Sequence, residues 1–136
     1  MYEKAFSLEI VTPTKTVFHG EATSLSAPGT LGGFQVLYNH APLLSSMTVG
    51  VLKVRDPEGK ETLYATRGGF LEVKENRAVV LAETAERADE IDLERAQAAF
   101  DRAKQRLRSG DPGVDIDRAR AALLRAITRL RLAGKA

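Results

Sequence analysis

The residues of this 136-residue chain best equipped for chemistry are arginines near its C-terminus. Two stretches, residues 91–108 and 114–131, are identical at ten of 18 aligned positions. At about 100° per residue, the three repeated arginines of each stretch fall within about 40° of one another on a helix. They are Arg95, Arg102 and Arg106 in the first stretch and Arg118, Arg125 and Arg129 in the second. Guanidinium groups suit phosphate and carboxylate oxygens, so an anion would be able to bridge such a paired surface.

A simpler explanation of the same arginines stays open. Two helices of one hairpin share constraints, and arginine favours helices, so a charged stripe is often only a solvated face. Residues 118–136 nevertheless hold six basic residues and no acidic one, although the net charge of the whole chain is only +2. This local charge indicates an acidic partner, which is a protein, a nucleotide, a nucleic acid or a membrane surface.

Other kinds of site are excluded by composition or by missing motifs. The chain has no cysteine and only two histidines, His19 and His40, so disulfides, thiolate sites and a His-rich metal site are excluded and no metal is expected. The glycine-rich run at 29–33 lacks the Lys-Ser/Thr ending of a phosphate-binding loop, and its glycines are expected in turns. His40 is expected to be a hydrogen-bonded structural residue. No nucleophile stands beside a base, so no catalytic residue is predicted.

The elements that position these residues fall into two regions with different periods. Residues 1–88 contain eight of the 11 glycines and four of the five prolines. Apolar and polar side chains alternate there, as in β-strands, at 6–10, 49–54, 62–66, 71–73 and 78–81. Turn signals occur at 12–13, 27–29, 32–33, 56–59, 68–69 and 75–76. The region is predicted to be an antiparallel β-sandwich or barrel.

The period becomes helical after about Ala88. Asp92 and Asp115 are placed as N-caps and Gly110 as the residue that ends the first helix. Apolar residues three and four apart form one stripe on each helix: Leu93, Ala96, Phe100, Ala103 and Leu107, then Ile116, Ala119, Leu123, Ala126 or Ile127, and Leu130. We predict an antiparallel two-helix hairpin and two domains, 1–88 and 89–136. Alanine dominates the repeated stripe positions, so the hairpin is expected to pack weakly and to be mobile.

Three segments, taken in order, carry a resemblance to a known family. They are NHAPLLS at 39–45, RGGFLEV at 67–73 and DEIDLERA at 89–96. Over nearly its whole length the chain thereby resembles the epsilon subunit of bacterial F-type ATP synthases. The resemblance implies an α+β fold with a sandwich of about ten strands before the hairpin, in agreement with the periodicities. Tyr38-Asn39 stands where the family often has Pro-Gly, and asparagine tolerates the positive φ of such a turn.

The resemblance also implies a function. It implies a non-catalytic subunit of the central stalk, or rotor, of a proton-translocating ATP synthase. The sandwich would bind the gamma subunit and the c-ring, with the c-ring contact near residues 33–39. The hairpin would either fold on the sandwich or extend along gamma. When extended, its basic face would meet an acidic segment of the catalytic beta subunits and inhibit ATP hydrolysis.

The expected location is the cytoplasmic face of the bacterial inner membrane, with peripheral attachment. The chain shows no apolar run long enough to span a membrane and no visible signal peptide. Attachment is therefore expected to be indirect, through the complex.

Some members of the family bind ATP through the motif Ile/Leu-Asp-x-x-Arg-Ala. The matching residues here are Ile91, Asp92, Arg95 and Ala96, preceded by Glu86 and followed by Arg125 and Arg129. ATP is therefore expected as a regulatory ligand, with its Mg²⁺ dependence open. Arginines suit its phosphates, and carboxylates suit its hydroxyl or amino groups. Asp92 would also serve as an ordinary N-cap and Arg95 as an ordinary surface residue.

The alternative function is a β-domain with a basic helical hairpin that binds nucleic acid. The arginine stripes carry no interleaved aromatic residues and the basic excess is modest, which disfavours this alternative. No nucleic-acid partner is therefore expected, and an enzyme is the third class.

Overall fold

The computed structural model of the chain describes residues 4–134. These residues form two compact units, divided between Arg87 and Ala88. The first unit is built of β-strands and the second of a one-turn helix, Ala88–Glu90, followed by two α-helices. This order of elements confirms the predicted fold class. No helix among the described residues is long and apolar enough to cross a membrane.

The bounds of the elements are as follows. The strands are β1 (Phe6–Val11), β2 (Thr16–Ala22), β3 (Ser24–Gly29), β4 (Gly32–Val36), β5 (Leu43–Met47), β6 (Gly50–Arg55), β7 (Glu61–Thr66), β8 (Gly69–Lys74), β9 (Arg77–Ala82) and β10 (Ala85–Arg87). The α-helices are α1 (Leu93–Arg108) and α2 (Ile116–Ala133).

The strands join in the order β10-β7-β6-β3-β5-β8-β9-β1-β2, and β4 pairs with β3. The described pairings are antiparallel with one exception, because β1 lies parallel to β9. An all-antiparallel sheet was predicted, and this one pair differs from it. No β-α-β crossover is needed, because most of the sandwich itself connects the two strands.

The core lies on the inward face of this sheet. Along β8 and β9 the alternation places Leu71, Val73 and Val80 inside, with Leu71 and Val80 at 0% exposure. Leu8 and Ile10 of β1 are also fully buried. Burying one such aliphatic side chain stabilises the fold by about 1.5–3 kcal/mol. The alternating pattern therefore supplies the main stabilisation of the first unit.

The glycine-rich segment holds a hairpin turn that is shorter than predicted. Turns were predicted at 27–29 and 32–33, but those residues belong to β3 and β4, and Gly29 pairs with Gly32. Only Thr30 and Leu31 connect the strands. Pro28 is accommodated within β3 because Gly50 lies against it, and a Cβ on that glycine would stand 2.7 Å from Pro28 Cβ.

Two asparagines lie in turns near the C-terminal end of β8: Asn76 lies between β8 and β9, and Asn39 lies between β4 and β5. Glu75 and Asn76 both have positive φ, 52° and 58°, which suits the tight hairpin between β8 and β9. Asn39 has φ 57°, so the expected positive-φ turn is confirmed there. The Asn39 N–H donates to Asn76 Oδ1 at 2.8 Å, and Asn76 Nδ2 donates to the Ala5 carbonyl at 3.1 Å. Asn76 thus ties two other segments to the β8–β9 turn.

Candidate functional site

The two helices of the second unit begin in the same way. Asp92 has φ −78° and ψ 105°, and its Oδ1 accepts a hydrogen bond from the Arg95 N–H at 3.1 Å. Asp115 has φ −77° and ψ 105°, and its Oδ1 accepts from the Arg118 N–H, also at 3.1 Å. Both predicted N-caps are confirmed. Gly110, with φ 66°, follows the first helix as predicted.

The helices pack through alanines. α1 and α2 contact each other along their length, and the short connection between them makes them antiparallel. Ala96 and Ala103 are buried in α1, and Ala119 and Ala126 are buried in α2. We call these four residues the alanine seam; Leu132, near the end of α2, is also buried. The small side chains of the seam let two helices approach closely but bury little apolar surface, as the sequence predicted.

The predicted stripes are wrong at their first residues. Leu93 is 56% exposed and Ile116 is 42% exposed. At about 100° per residue, each is turned about 60° away from the seam alanine that follows three residues later. Their side chains therefore lie beside the seam rather than within it.

The repeated arginines share one face of this hairpin. Arg95 and Arg118 each directly precede the first seam alanine of their helix, and Arg102 and Arg125 each directly precede the second. Equal rotation away from the seam puts side chains of two antiparallel helices on the same side of the pair. We call this surface the arginine face; it comprises Arg95, Arg102, Arg106, Arg118, Arg125 and Arg129.

Part of the predicted ATP site comes together at one end of this face. Arg95 lies two residues after the start of α1, and Arg129 lies four residues before the end of α2. Antiparallel packing brings these ends to the same level, with Arg125 one turn away. Arg125 and Arg129 are half-buried, whereas Arg95 is exposed. We call Arg95, Arg125 and Arg129 the first cluster, and Asp92 caps the helix beside it.

The other predicted site residues have different surroundings. Ala96 is fully buried in the alanine seam, so it shapes the packing of the helices. Ile91 is half-buried and directly precedes the cap. Glu86 lies in β10, where it is paired with Ala65 of β7, and so belongs to the first unit. Its role in ATP binding stays a prediction.

Two further predictions concern the role of His40 and the binding of metal ions. His40 Nδ1 lies 2.6 Å from the Ala41 carbonyl oxygen, which confirms that it is a hydrogen-bonded residue. Within residues 4–134, no group of three or more His, Asp or Glu side chains is placed to hold a metal ion.

Sequence reasoning missed an exposed apolar surface on the sandwich. Leu44, Phe70 and Leu81 are 71%, 57% and 55% exposed on β5, β8 and β9. Phe70 is paired with Leu81, and Leu44 lies diagonally across from Phe70 on the adjacent strand. We call these three residues the outer patch. Its signal was available, because Phe70 and Leu81 fall out of phase with the buried residues of their strands.

Comparisons with known proteins agree over both units. Residues 5–88 match the model of the ATP synthase Delta/Epsilon chain beta-sandwich domain, and residues 89–134 match that of its long alpha-helix domain. The ATP synthase epsilon chain of Desulforamulus reducens is 53% identical over 78% of this chain and 80% of its own length. That of Pelotomaculum thermopropionicum is 49% identical over 79% of each chain.

A solved structure supports the fold. A chain from the Euglena gracilis mitochondrial ATP synthase, OSCP/F1/c-ring, superposes with a TM-score of 0.83 at 23% identity, over 95% of this chain and 81% of its own. The matched sandwich and helical domains and the half-identical relatives lead to one conclusion: the chain belongs to the ATP synthase epsilon chain family.

Proposed function

We propose that the chain is a non-catalytic rotor subunit that joins gamma to the c-ring of a bacterial ATP synthase. In this proposal the sandwich attaches the chain to the rotor, and the hairpin senses ATP and regulates hydrolysis. The chain is then held peripherally, through the complex, at the cytoplasmic face of the inner membrane. Its extended hairpin would present the basic arginine face to an acidic segment of the catalytic beta subunits.

The outer patch supports attachment through the sandwich. Contiguous exposed apolar side chains on a globular domain commonly mark a protein interface. We assign the outer patch to gamma. Leu37 and Tyr38, which are 51% and 41% exposed between β4 and β5, lie in the region expected to face the c-ring.

Co-purification with gamma tests the attachment surface. Phe70→Ser/Leu81→Ser should reduce capture of gamma at least tenfold, because it removes two apolar contacts. The control is Leu31→Ser, which changes a fully exposed apolar residue in the β3–β4 turn of the sandwich and should leave the capture of gamma unchanged. Equal capture by wild type and Phe70→Ser/Leu81→Ser would contradict the assignment of the outer patch.

One observation supports ATP sensing by the hairpin: antiparallel packing gathers the first cluster at one end of one face. Three guanidinium groups from two helices suit a triphosphate, because each forms charge-assisted hydrogen bonds with phosphate oxygens. Such a ligand would hold α1 and α2 together across a seam that buries only alanines. It would also offset the repulsion among the like charges of the arginine face.

The size of the effect is sufficient for regulation. A ligand that binds only the packed hairpin stabilises it by about 2.7 kcal/mol at a concentration of 100 times Kd. That free energy changes the population ratio about a hundredfold. Abundant ATP would therefore keep the hairpin packed, and scarce ATP would release it into the extended, inhibitory form.

Calorimetric titration of the full chain with ATP, with and without Mg²⁺, tests the sensor. Asp92→Asn/Arg125→Ala should weaken ATP binding at least tenfold, because it removes one carboxylate and one guanidinium from the site while asparagine still caps α1. Asp115→Asn/Arg131→Ala makes the same changes elsewhere on the hairpin and should leave this affinity unchanged. Equal affinities in the two variants would contradict the site.

Two further measurements extend the test. Titration of Glu86→Gln with ATP tests separately whether this residue of the first unit contributes to ATP binding. In the reassembled synthase, Asp92→Asn/Arg125→Ala should increase inhibition of hydrolysis at intermediate ATP concentrations. Unchanged inhibition would show that ATP binding at this site does not regulate hydrolysis.

A further inference from the structure

The hairpin is a structural repeat as well as a sequence repeat. The 23-residue spacing from Asp92 to Asp115 also separates Ala96 from Ala119 and Ala103 from Ala126. The two caps have the same dihedral angles within one degree, and the four alanines are the buried seam. Because α1 and α2 are antiparallel, this spacing relates them by an approximate twofold axis that is perpendicular to both helices.

The same axis generates a second group of arginines from the first. The first cluster consists of Arg95, Arg125 and Arg129, and its repeat-related positions are Arg118, Arg102 and Arg106. Arg106 lies two residues before the end of α1, and Arg118 lies two residues into α2, so both lie beside the connecting loop. Arg102 lies one turn before Arg106 on α1, further from the loop. We call Arg102, Arg106 and Arg118 the second cluster.

The second cluster is more exposed to solvent than the first, in which two of the three arginines are half-buried. All three side chains are exposed, and among residues 4–134 none of them forms an ion pair or a side-chain hydrogen bond. Among the described residues no acid forms an ion pair with them, although Asp115 caps α2 beside Arg118 and accepts from its backbone N–H at 3.1 Å. Asp101 accepts from Gln97 at 3.2 Å, and both Asp101 and Asp117 are turned about 160° from the seam, away from the arginine face.

We propose that the second cluster is a second anion site, which takes a chain of two or three phosphates. Arg102 and Arg106 are about 6 Å apart along α1, and Arg118 is on a helix whose axis is about 8–10 Å away. A diphosphate or triphosphate has the length to contact all three side chains without their converging on one point, and each added phosphate offers further oxygens for charge-assisted hydrogen bonds. Nucleotides and inorganic polyphosphate share this chemistry. The site uses hairpin residues alone and does not depend on ATP binding at the first cluster.

The test is an NMR titration of the full chain with tripolyphosphate and, separately, with ATP, both without Mg²⁺. The arginine Nε–Hε signals report each guanidinium individually. We expect saturable shifts at Arg102, Arg106 and Arg118. Arg102→Ala/Arg106→Ala should weaken this binding about tenfold or more, because two charge-assisted contacts are lost. These substitutions replace exposed helical residues by alanine, so the hairpin should remain folded.

Two control variants make the result specific. Arg108→Ala/Arg131→Ala removes the same charge from exposed positions on the opposite side of the helices, and should change the affinity by less than about twofold. Arg125→Ala/Arg129→Ala disables the first cluster and should leave the shifts at the second. Similar affinities for ATP and tripolyphosphate would identify the phosphate chain as the ligand, whereas tighter ATP binding would identify a nucleotide.

Three outcomes would overturn the proposal. One is the absence of shifts at the second cluster with millimolar tripolyphosphate. Another is an equal loss of affinity in Arg102→Ala/Arg106→Ala and Arg108→Ala/Arg131→Ala, which would show non-specific attraction. The third is loss of all binding in Arg125→Ala/Arg129→Ala, which would leave the first cluster as the sole site and would support the proposed ATP sensor.

Discussion

The sandwich and the hairpin of this chain are stabilised by side chains of very different size. The sandwich buries leucines, valines and isoleucine, including Leu8, Leu25, Leu52 and Leu71 at 0% exposure. The described part of the hairpin buries the four alanines of its seam and one larger side chain, Leu132. A buried leucine contributes about 1.5–3 kcal/mol, whereas a single methyl-sized group contributes about 0.8 kcal/mol. The sandwich is therefore expected to be more stable than the packing between the two helices.

The largest expected effect is in the sandwich core. Leu71→Ala should lower the free energy of unfolding by about 2–5 kcal/mol, because a fully buried side chain leaves a cavity. Denaturant unfolding followed by circular dichroism measures it. Leu44→Ala, at an exposed position of the same sheet, should cost about 0.5 kcal/mol or less. Similar costs for the two variants would contradict the contrast between core and surface.

A smaller effect is expected from enlarging the alanine seam. Ala103→Leu should destabilise the hairpin by about 1–3 kcal/mol, because the helices have no room for the larger side chain at a position that is 1% exposed. Loss of helical ellipticity on heating reports the change. Ala98→Leu makes the same substitution at an exposed position of α1 and should have little effect. If both variants melt alike, the seam is not closely packed.

The two helix caps should cost equal amounts when they are removed. Asp92→Ala and Asp115→Ala should each destabilise the hairpin by about 1 kcal/mol, since each removes the same 3.1 Å hydrogen bond at the same dihedral angles. Thermal melting of the hairpin measures both. Clearly unequal costs would contradict the twofold relation between the two helices.

The smallest effect concerns a surface carboxylate of the sandwich. Hydrogen bonds from Arg55 and then Lys53 hold the pKa of Glu61 below its ordinary value of 4.5. Its contribution to stability is therefore present above that value and is lost as the pH falls through the lowered pKa. Glu61→Gln should reduce Tm slightly at neutral pH, and the difference should vanish in acid. A difference that is independent of pH would exclude the ionised pairs as its cause.

The helical unit was predictable from sequence in detail because its signals are local. Asp92, Asp115 and Gly110 define helix ends through hydrogen bonds and dihedral angles within a few residues. The strands were harder to predict from the sequence. β3 contains Pro28 and ends at Gly29, residues that indicate turns, and its pairing with β6 and β5 depends on distant parts of the chain.

The candidate site also has one part that the sequence predicted and another that required the structure. The spacing of Arg95, Arg102 and Arg106 predicted a shared face from one helix alone. Which arginines meet across the hairpin required the antiparallel register of α1 and α2, which no local pattern specifies. Glu86 carries no local signal at all, and its prediction came from the family motif.

The parallel pairing of β1 with β9 has a consequence for how the chain is made. Ser7 is paired with Arg77 and Val11 with Leu81, so β1 has to wait for its partner until most of the sandwich has left the ribosome. Until then one edge of β1 presents unpaired backbone groups, and such edges favour association between nascent chains. Contacts this distant in sequence also slow folding. A nascent chain that has emerged from the ribosome only as far as residue 76 should therefore be exposed to chaperones and aggregation, whereas one that has emerged beyond residue 82 should not.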